Sequence, residues 1–146
     1  MAKRFTLSEA RGMLPFVGGL IREAVKLKTE YEESDAILEQ FSGQVMMMGG
    51  MVVDRGRIVD AKEAKERSAG KLKEAIEAIH GSGCQVKDLD IGLVDFPSTF
   101  RGEEVCLCWK LGEPDIEYWH STTEGFAGRK KIDQEFRDLH YGDRTQ

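Results

Sequence analysis

One repeat constrains this chain more than any other feature. After Val17, the residues Leu20, Ala24, Leu27, Tyr31, Ser34, Leu38 and Phe41 follow at alternating spacings of three and four. That is the heptad period of a helix presenting one narrow seam to a partner helix. Pro15 stands just ahead of the run, and its missing N–H is no loss in a first helical turn. The spacing therefore predicts a helix over 15–41. Upstream, Thr6-Leu7-Ser8-Glu9 forms a capping box, in which the Thr6 hydroxyl and the Glu9 carboxylate satisfy helix-start amides reciprocally. It predicts a separate short helix over 7–14.

The partner reads from Asp60, a good N-cap, to Ile79, with Ala61, Ala64, Ser68, Leu72, Ala75 and Ile79 on one face. Small residues in its first half let two helix axes approach closely. Gly81 and Gly83 end it. The link over 42–57 holds Gly43, Gly49, Gly50 and Gly56, giving an antiparallel helical hairpin with a glycine-rich connection and a turn about Asp54-Arg55-Gly56. Met46, Met47, Met48 and Met51 in this link suit either an adaptable binding surface or loose packing.

Beyond Gly83 the period changes from helix to strand. Runs at 84–89, 91–97, 104–111 and 115–121 alternate apolar and polar residues between turn residues. Gly112-Glu113-Pro114-Asp115 is short enough to demand an antiparallel hairpin. Pairing Leu111 with Ile116 sets Trp109 opposite Tyr118, Leu107 opposite His120 and Lys110 opposite Glu117. In that register Val94, Phe96, Cys106, Cys108 and Trp119 share an outer face. Asp95 and His120 share the other, with backbones about 12 Å apart, so a direct contact between them is not expected. A short helix over 133–140 follows. The expected fold is α+β in a single domain, 1–146. A long antiparallel helical hairpin (about 7–81) packs on a β-meander of three to four strands (about 84–121), followed by a C-terminal loop and short helix (122–146).

Composition bounds the function classes. The 146 residues carry 21 Lys plus Arg against 26 Asp plus Glu, a net charge of −5, so no basic face advertises a nucleic-acid partner. No apolar run approaches the roughly 20 residues of a membrane span, and the N-terminus shows no secretory pattern. With three cysteines, an odd number, reduced thiols in the cytoplasm are expected.

Four constellations bear on chemistry. Cys106-x-Cys108, with Cys84 and His120, offers donors of zinc-binding type, although the spacing is not that of a zinc finger and buried apolar cysteines are the competing reading. Asp95, His120 and Glu124 are the residues a hydrolase acting through a metal or water would use. Gly125-Phe126-Ala127-Gly128-Arg129 is a glycine-flanked loop whose amides, with the Arg129 fork, suit an anion. Trp109, Glu113, Trp119, His120 and Arg129 are the ligand-binding candidates.

The run from Val86 to Pro97 (containing Gly92-Leu93-Val94-Asp95-Phe96-Pro97) is followed by Leu107-Cys108-Trp109-Lys110-Leu111-Gly112-Glu113, Tyr118-Trp119-His120 and Gly125-Phe126-Ala127-Gly128-Arg129. Together with Phe5-Thr6-Leu7-Ser8-Glu9-Ala10 and Leu14-Pro15, these resemble a bacterial family of small proteins known only as a domain of unknown function. The resemblance spans Phe5 to Ile132. It implies the hairpin-plus-sheet type and carries no activity, cofactor or catalytic residue.

The expected function is a non-catalytic, self-associating protein that binds a small anionic ligand or a protein partner, with no cofactor. A helix over 15–41 is about 40 Å long, against a radius of gyration of about 15 Å for a compact chain of this size. The projecting hairpin and an apolar outer sheet face both predict a homodimer.

Overall fold

The computed structural model describes residues 3–47 and 55–140. The capping box forms as read: the Glu9 amide donates to the Thr6 hydroxyl oxygen at 3.0 Å, and the Thr6 amide donates to the Glu9 carboxylate at 2.9 Å. The helix it starts, α1 (Leu7–Met47), runs unbroken through Pro15, so the two expected helices are one. An interior proline costs about 3 kcal/mol. Here Leu7 and Ala10 before it and Val17 and Ile21 after it are all buried in the same core, and burying one such large aliphatic side chain returns about 1.5–3 kcal/mol. Packing on both sides of Pro15 overrides the local break.

The second helix, α2 (Arg55–Gly81), starts five residues before Asp60. Arg55 and Gly56 are therefore helical, not part of a turn. Met46 and Met47 end α1, and the rest of the glycine–methionine link, including Asp54, lies outside the described residues. Ala24, Leu27 and Ser34 of α1 and Ala61, Ser68 and Ala75 of α2 are buried, as the seam requires. The Ser68 hydroxyl donates back to the Ala64 carbonyl at 2.7 Å, which satisfies a polar group between close helices. Lys65 reaches Asp35 across the pair at 2.7 Å.

Five strands follow: β1 (Gln85–Asp88), β2 (Leu93–Phe100), β3 (Glu103–Lys110), β4 (Tyr118–Ser121) and β5 (Lys130–Lys131). They form one antiparallel sheet in sequence order, one strand more than the meander of three to four. The extra strand arises because the chain returns along β4 after the glycine-flanked loop. Arg101 and Gly102, at φ 54° and 77°, close β2 on β3 with a two-residue turn of the primed kind that matches strand twist. It sets Val94 opposite Trp109, Asp95 opposite Cys108 and Phe96 opposite Leu107.

The β3–β4 register differs by one residue from the expected one. Cys106 pairs with His120, Leu107 with Trp119 and Cys108 with Tyr118. The reason is Ile116, which leaves the strand and is fully buried in the core. The Arg11 guanidinium donates to its carbonyl at 3.1 Å. Extending β4 by two residues would have turned this side chain to the opposite face of the sheet, so β4 begins at Tyr118. A slip of one residue exchanges the faces of a strand.

Val94, Phe96, Leu107, Trp109 and Trp119 consequently face the helices and join Phe5, Val17, Ile21 and Ile79 in the core. The expected apolar outer face of Val94, Phe96 and Trp119 does not exist. Helix α3 (Gln134–Leu139), capped by Asp133 accepting from the Phe136 amide at 2.9 Å, closes the same layer. Phe136 stacks on Phe100 with ring centroids 4.8 Å apart. Among the described residues, no helix is long and apolar enough to cross a membrane.

Candidate functional site

Alternation leaves Leu93, Asp95 and Pro97 of β2, Cys106 and Cys108 of β3, and Tyr118 and His120 of β4 on the face away from the helices. This face is also withdrawn from water: Asp95 is 2% exposed, His120 3% and Cys108 0%. Its cover is the segment between β4 and β5. That segment folds through a 3-10 turn at Phe126–Gly128, and Gly128 is required because a Cβ there would lie 2.5 Å from that of Glu124.

Two clamps hold the cover. Arg129 donates twice to the Glu113 carboxylate, at 2.7 and 2.8 Å, and its guanidinium lies over the Tyr118 and Phe126 rings, 4.0 and 4.8 Å from their centroids. Glu113 in turn accepts from the Lys110 amide at 2.7 Å, and its carbonyl accepts from the Trp109 indole at 3.0 Å. At the other end, Lys130 donates to Glu124 at 2.5 Å and the Ser121 amide donates to the same oxygen at 3.1 Å. The Lys130 ammonium first, then Ser121, lower the Glu124 carboxyl from its ordinary range to about 2.

Beneath the cover, Asp95 and His120 meet. His120 Nε2 lies 3.0 Å from Asp95 Oδ1, and Nδ1 lies 2.7 Å from the Ser121 carbonyl oxygen. The expectation that these residues stay apart is corrected. Their backbones are two strands apart, but the strand between them contributes only the small side chains of Cys106 and Cys108, so the longer ones lean together. Cys108 pairs with Asp95 across the strands, and the Cys106 sulfur lies within 4.8 Å of the Asp95 carboxylate. Burial first, and then that carboxylate, push both thiols up to about 12.

The pair forms the floor of a cavity of about 320 Å³. Leu93, Pro97 and Cys106 line it beside the pair, with Gln85, Lys87, Arg4, Glu104, Thr122 and Phe126 around them. Arg4 is paired with Glu104. Cys106, Asp95 and His120 each offer a ligand atom, all within 4.8 Å of one another.

The sequence-derived candidates are thus divided. His120 lies in the cavity floor. Trp109 and Trp119 lie on the helix side of the sheet, and Glu113 and Arg129 form a clamp of the cover. Of the proposed hydrolase set, Asp95 and His120 touch, while Glu124 is bound to Lys130 in the cover. Of the proposed metal set, Cys106 and His120 come together with Asp95. Cys84 is buried beside β1 and is raised by burial. Cys108 lies next to the cluster without joining it. Gln85 and Lys87 were not foreseen as cavity residues, because only the β1–β2 pairing, Gln85 opposite Asp95, brings them there.

A family model described as an uncharacterised conserved protein, DUF2203, matches residues 3–132. No curated protein and no solved structure matches the chain.

Proposed function

With the chain's membership of the DUF2203 family of uncharacterised conserved proteins as premise, we propose that it is a non-catalytic cytoplasmic binding protein, holding a small ligand with an anionic group in the outer-face cavity. The observation that carries this reading is the buried Asp95–His120 pair at the floor of that cavity, a polar group set in a concave site. Lys87, exposed at the wall, supplies a positive charge that makes no ion pair among the described residues. In this reading it is Lys87 that meets the anion, since Arg129 is committed to Glu113 through Nη2 and lies over the Tyr118 and Phe126 rings. Thiols held near 12 are poor nucleophiles at neutral pH. Glu124, ionised and bound to Lys130, is poorly placed as a general acid. Both speak against the hydrolase alternative.

The test is a melting-temperature screen with phosphate and citrate. The wild type gains stability and Lys87→Ala does not, because a ligand that binds only the folded state raises its melting point. Equal shifts in both proteins would reduce the effect to nonspecific salt.

Self-association is favoured by a separate observation. At 41 residues, α1 is about 61 Å long. Its ion pairs to the sheet end with Lys28, which meets Asp90. Past that point Tyr31, Asp35 and Phe41 find Lys65 or Arg57 of α2. Tyr31, Leu72 and Ile76 line a shallow apolar groove on this outer part. A second copy covering it gives a homodimer. Light scattering at micromolar concentration is expected to give about twice the chain mass of 16.4 kDa, and a stable species at the single-chain mass would defeat the idea.

A further inference from the structure

We propose that Asp95, Cys106 and His120 form the binding site of one divalent metal ion of zinc type at the floor of the outer-face cavity. The proposal rests on the cavity reading and deepens it, because the ion adds a second positive centre beside Lys87 for an anionic ligand.

The argument begins with a contrast between two buried histidines. In His140, Nδ1 donates to backbone carbonyls of α3 at 3.0 Å, and Nε2 accepts from the Leu7 amide at 3.0 Å. Each ring nitrogen faces a group of the opposite kind. In His120, Nδ1 also donates to a carbonyl, that of Ser121, but Nε2 faces a carboxylate oxygen. With Nδ1 carrying the proton of the neutral ring, Nε2 presents a lone pair to an acceptor. A positive centre must lie between them, and an extra proton or a metal ion meets that need.

Three features favour the ion. The Nδ1–carbonyl bond is the outer-shell contact by which metal-ligating histidines are oriented. The third donor is a sulfur, Cys106, at 8% exposure, and an S, N and O donor set matches zinc in its catalytic-type sites, where three protein ligands leave a fourth position open. The distances are also close. With ligand bonds of about 2.0–2.3 Å, donors on a tetrahedral ion lie about 3.3–3.6 Å apart. The Nε2–Oδ1 separation of 3.0 Å needs to open by only a few tenths of an ångström, and all three donors already lie within 4.8 Å of one another.

Forming the Cys106 sulfur–metal bond releases the thiol proton to solvent. The carboxylate and thiolate together balance a doubly charged ion, so an anion entering the fourth position meets no net negative site. Lys87 at the cavity wall favours the same sign of ligand.

The experiment uses the full chain, stripped with chelator and titrated with zinc or cobalt(II) alone. One equivalent per chain is expected, with tetrahedral cobalt bands and a thiolate-to-cobalt charge-transfer band. Cys106→Ser should lose the charge-transfer band and bind at least about 10–100-fold more weakly. His120→Gln should weaken binding similarly, and Cys84→Ser should change neither band nor affinity. Far-UV circular dichroism confirms that each variant is folded. Sub-stoichiometric binding, wild-type affinity in folded Cys106→Ser, or a charge-transfer band that follows Cys84 would each overturn the site. Citrate and phosphate titrated into metal-free protein test the cavity reading separately. Binding there with no metal uptake would leave the cavity standing and remove the ion.

Discussion

The two faces of the sheet are buried to a similar degree and by different means. Toward the helices, Val94, Phe96, Leu107 and Trp109 are 0–4% exposed and pack in the apolar core, with the Trp109 indole N–H donating to the Glu113 carbonyl. On the opposite face, Asp95, Cys108 and His120 are as deeply buried, but their cover is a short segment pinned by Glu113–Arg129 and Glu124–Lys130. An apolar layer loses energy in proportion to volume removed, whereas a buried polar group fails when its partner is removed. The difference separates a face that sets the fold from one arranged around specific atoms.

Substitutions can break or sharpen this contrast. Trp109→Ala strikes the helix-side layer and is expected to cost about 3–5 kcal/mol in urea unfolding. A loss under about 1 kcal/mol would mean that the indole is not packed under α1. On the opposite face, His120→Ala leaves the Asp95 carboxylate buried without its partner, at a cost of about 3 kcal/mol. Replacing both with leucine should recover most of that loss, because an apolar pair has nothing to satisfy. If the double variant is no better than the single one, the face depends on packing and not on polar pairing.

Arg129→Ala removes an ion pair in which Nη2 contacts both Glu113 oxygens, between side chains that are 13% and 16% exposed. It should cost about 2 kcal/mol and speed amide exchange from Thr122 to Gly128, with exchange in β2 unchanged. Lys65→Met, on the outer hairpin, loses a more exposed pair and should lower the thermal melting point by less than Arg129→Ala does. The smallest effect is a local one of pH. The Glu124 carboxyl is lowered to about 2, so its stabilisation of the cover is complete above the ordinary value of about 4.3. It fades as pH falls toward 2. An NMR titration of the Glu124 side chain should show its midpoint well below that ordinary value, and a midpoint near 4.3 would place Glu124 free of Lys130.

The seam from Val17 to Phe41 made the hairpin legible, and the faces of α2 followed from Ala61, Ser68, Ala75 and Ile79. What sequence reasoning missed came from tertiary competition. Pro15 looks like a boundary until Leu7, Ala10, Val17 and Ile21 are seen to share one core. Ile116 looks like a strand residue until its burial costs β4 two paired positions. In the expected register Asp95 and His120 lay on the face opposite the cysteines, so their meeting beside Cys106 was not legible; the observed pairing of Cys106 with His120 puts all of them on one face. Arg101-Gly102 was the overlooked signal. Taken as a two-residue turn, it pairs Phe100 with Glu103 and sets Asp95 beside Cys108 without any coordinates.

The His140 contact with Leu7 links residues 133 positions apart. Its consequence lies in the order of synthesis. The capping box of α1 leaves the ribosome first and can form at once, but the Leu7 amide has no imidazole to receive it until α3 has emerged. Final closure of the first helix's start therefore waits for the last described segment. Nascent chains halted before His140 should show excess protease sensitivity around Leu7 while the middle of α1 is already protected.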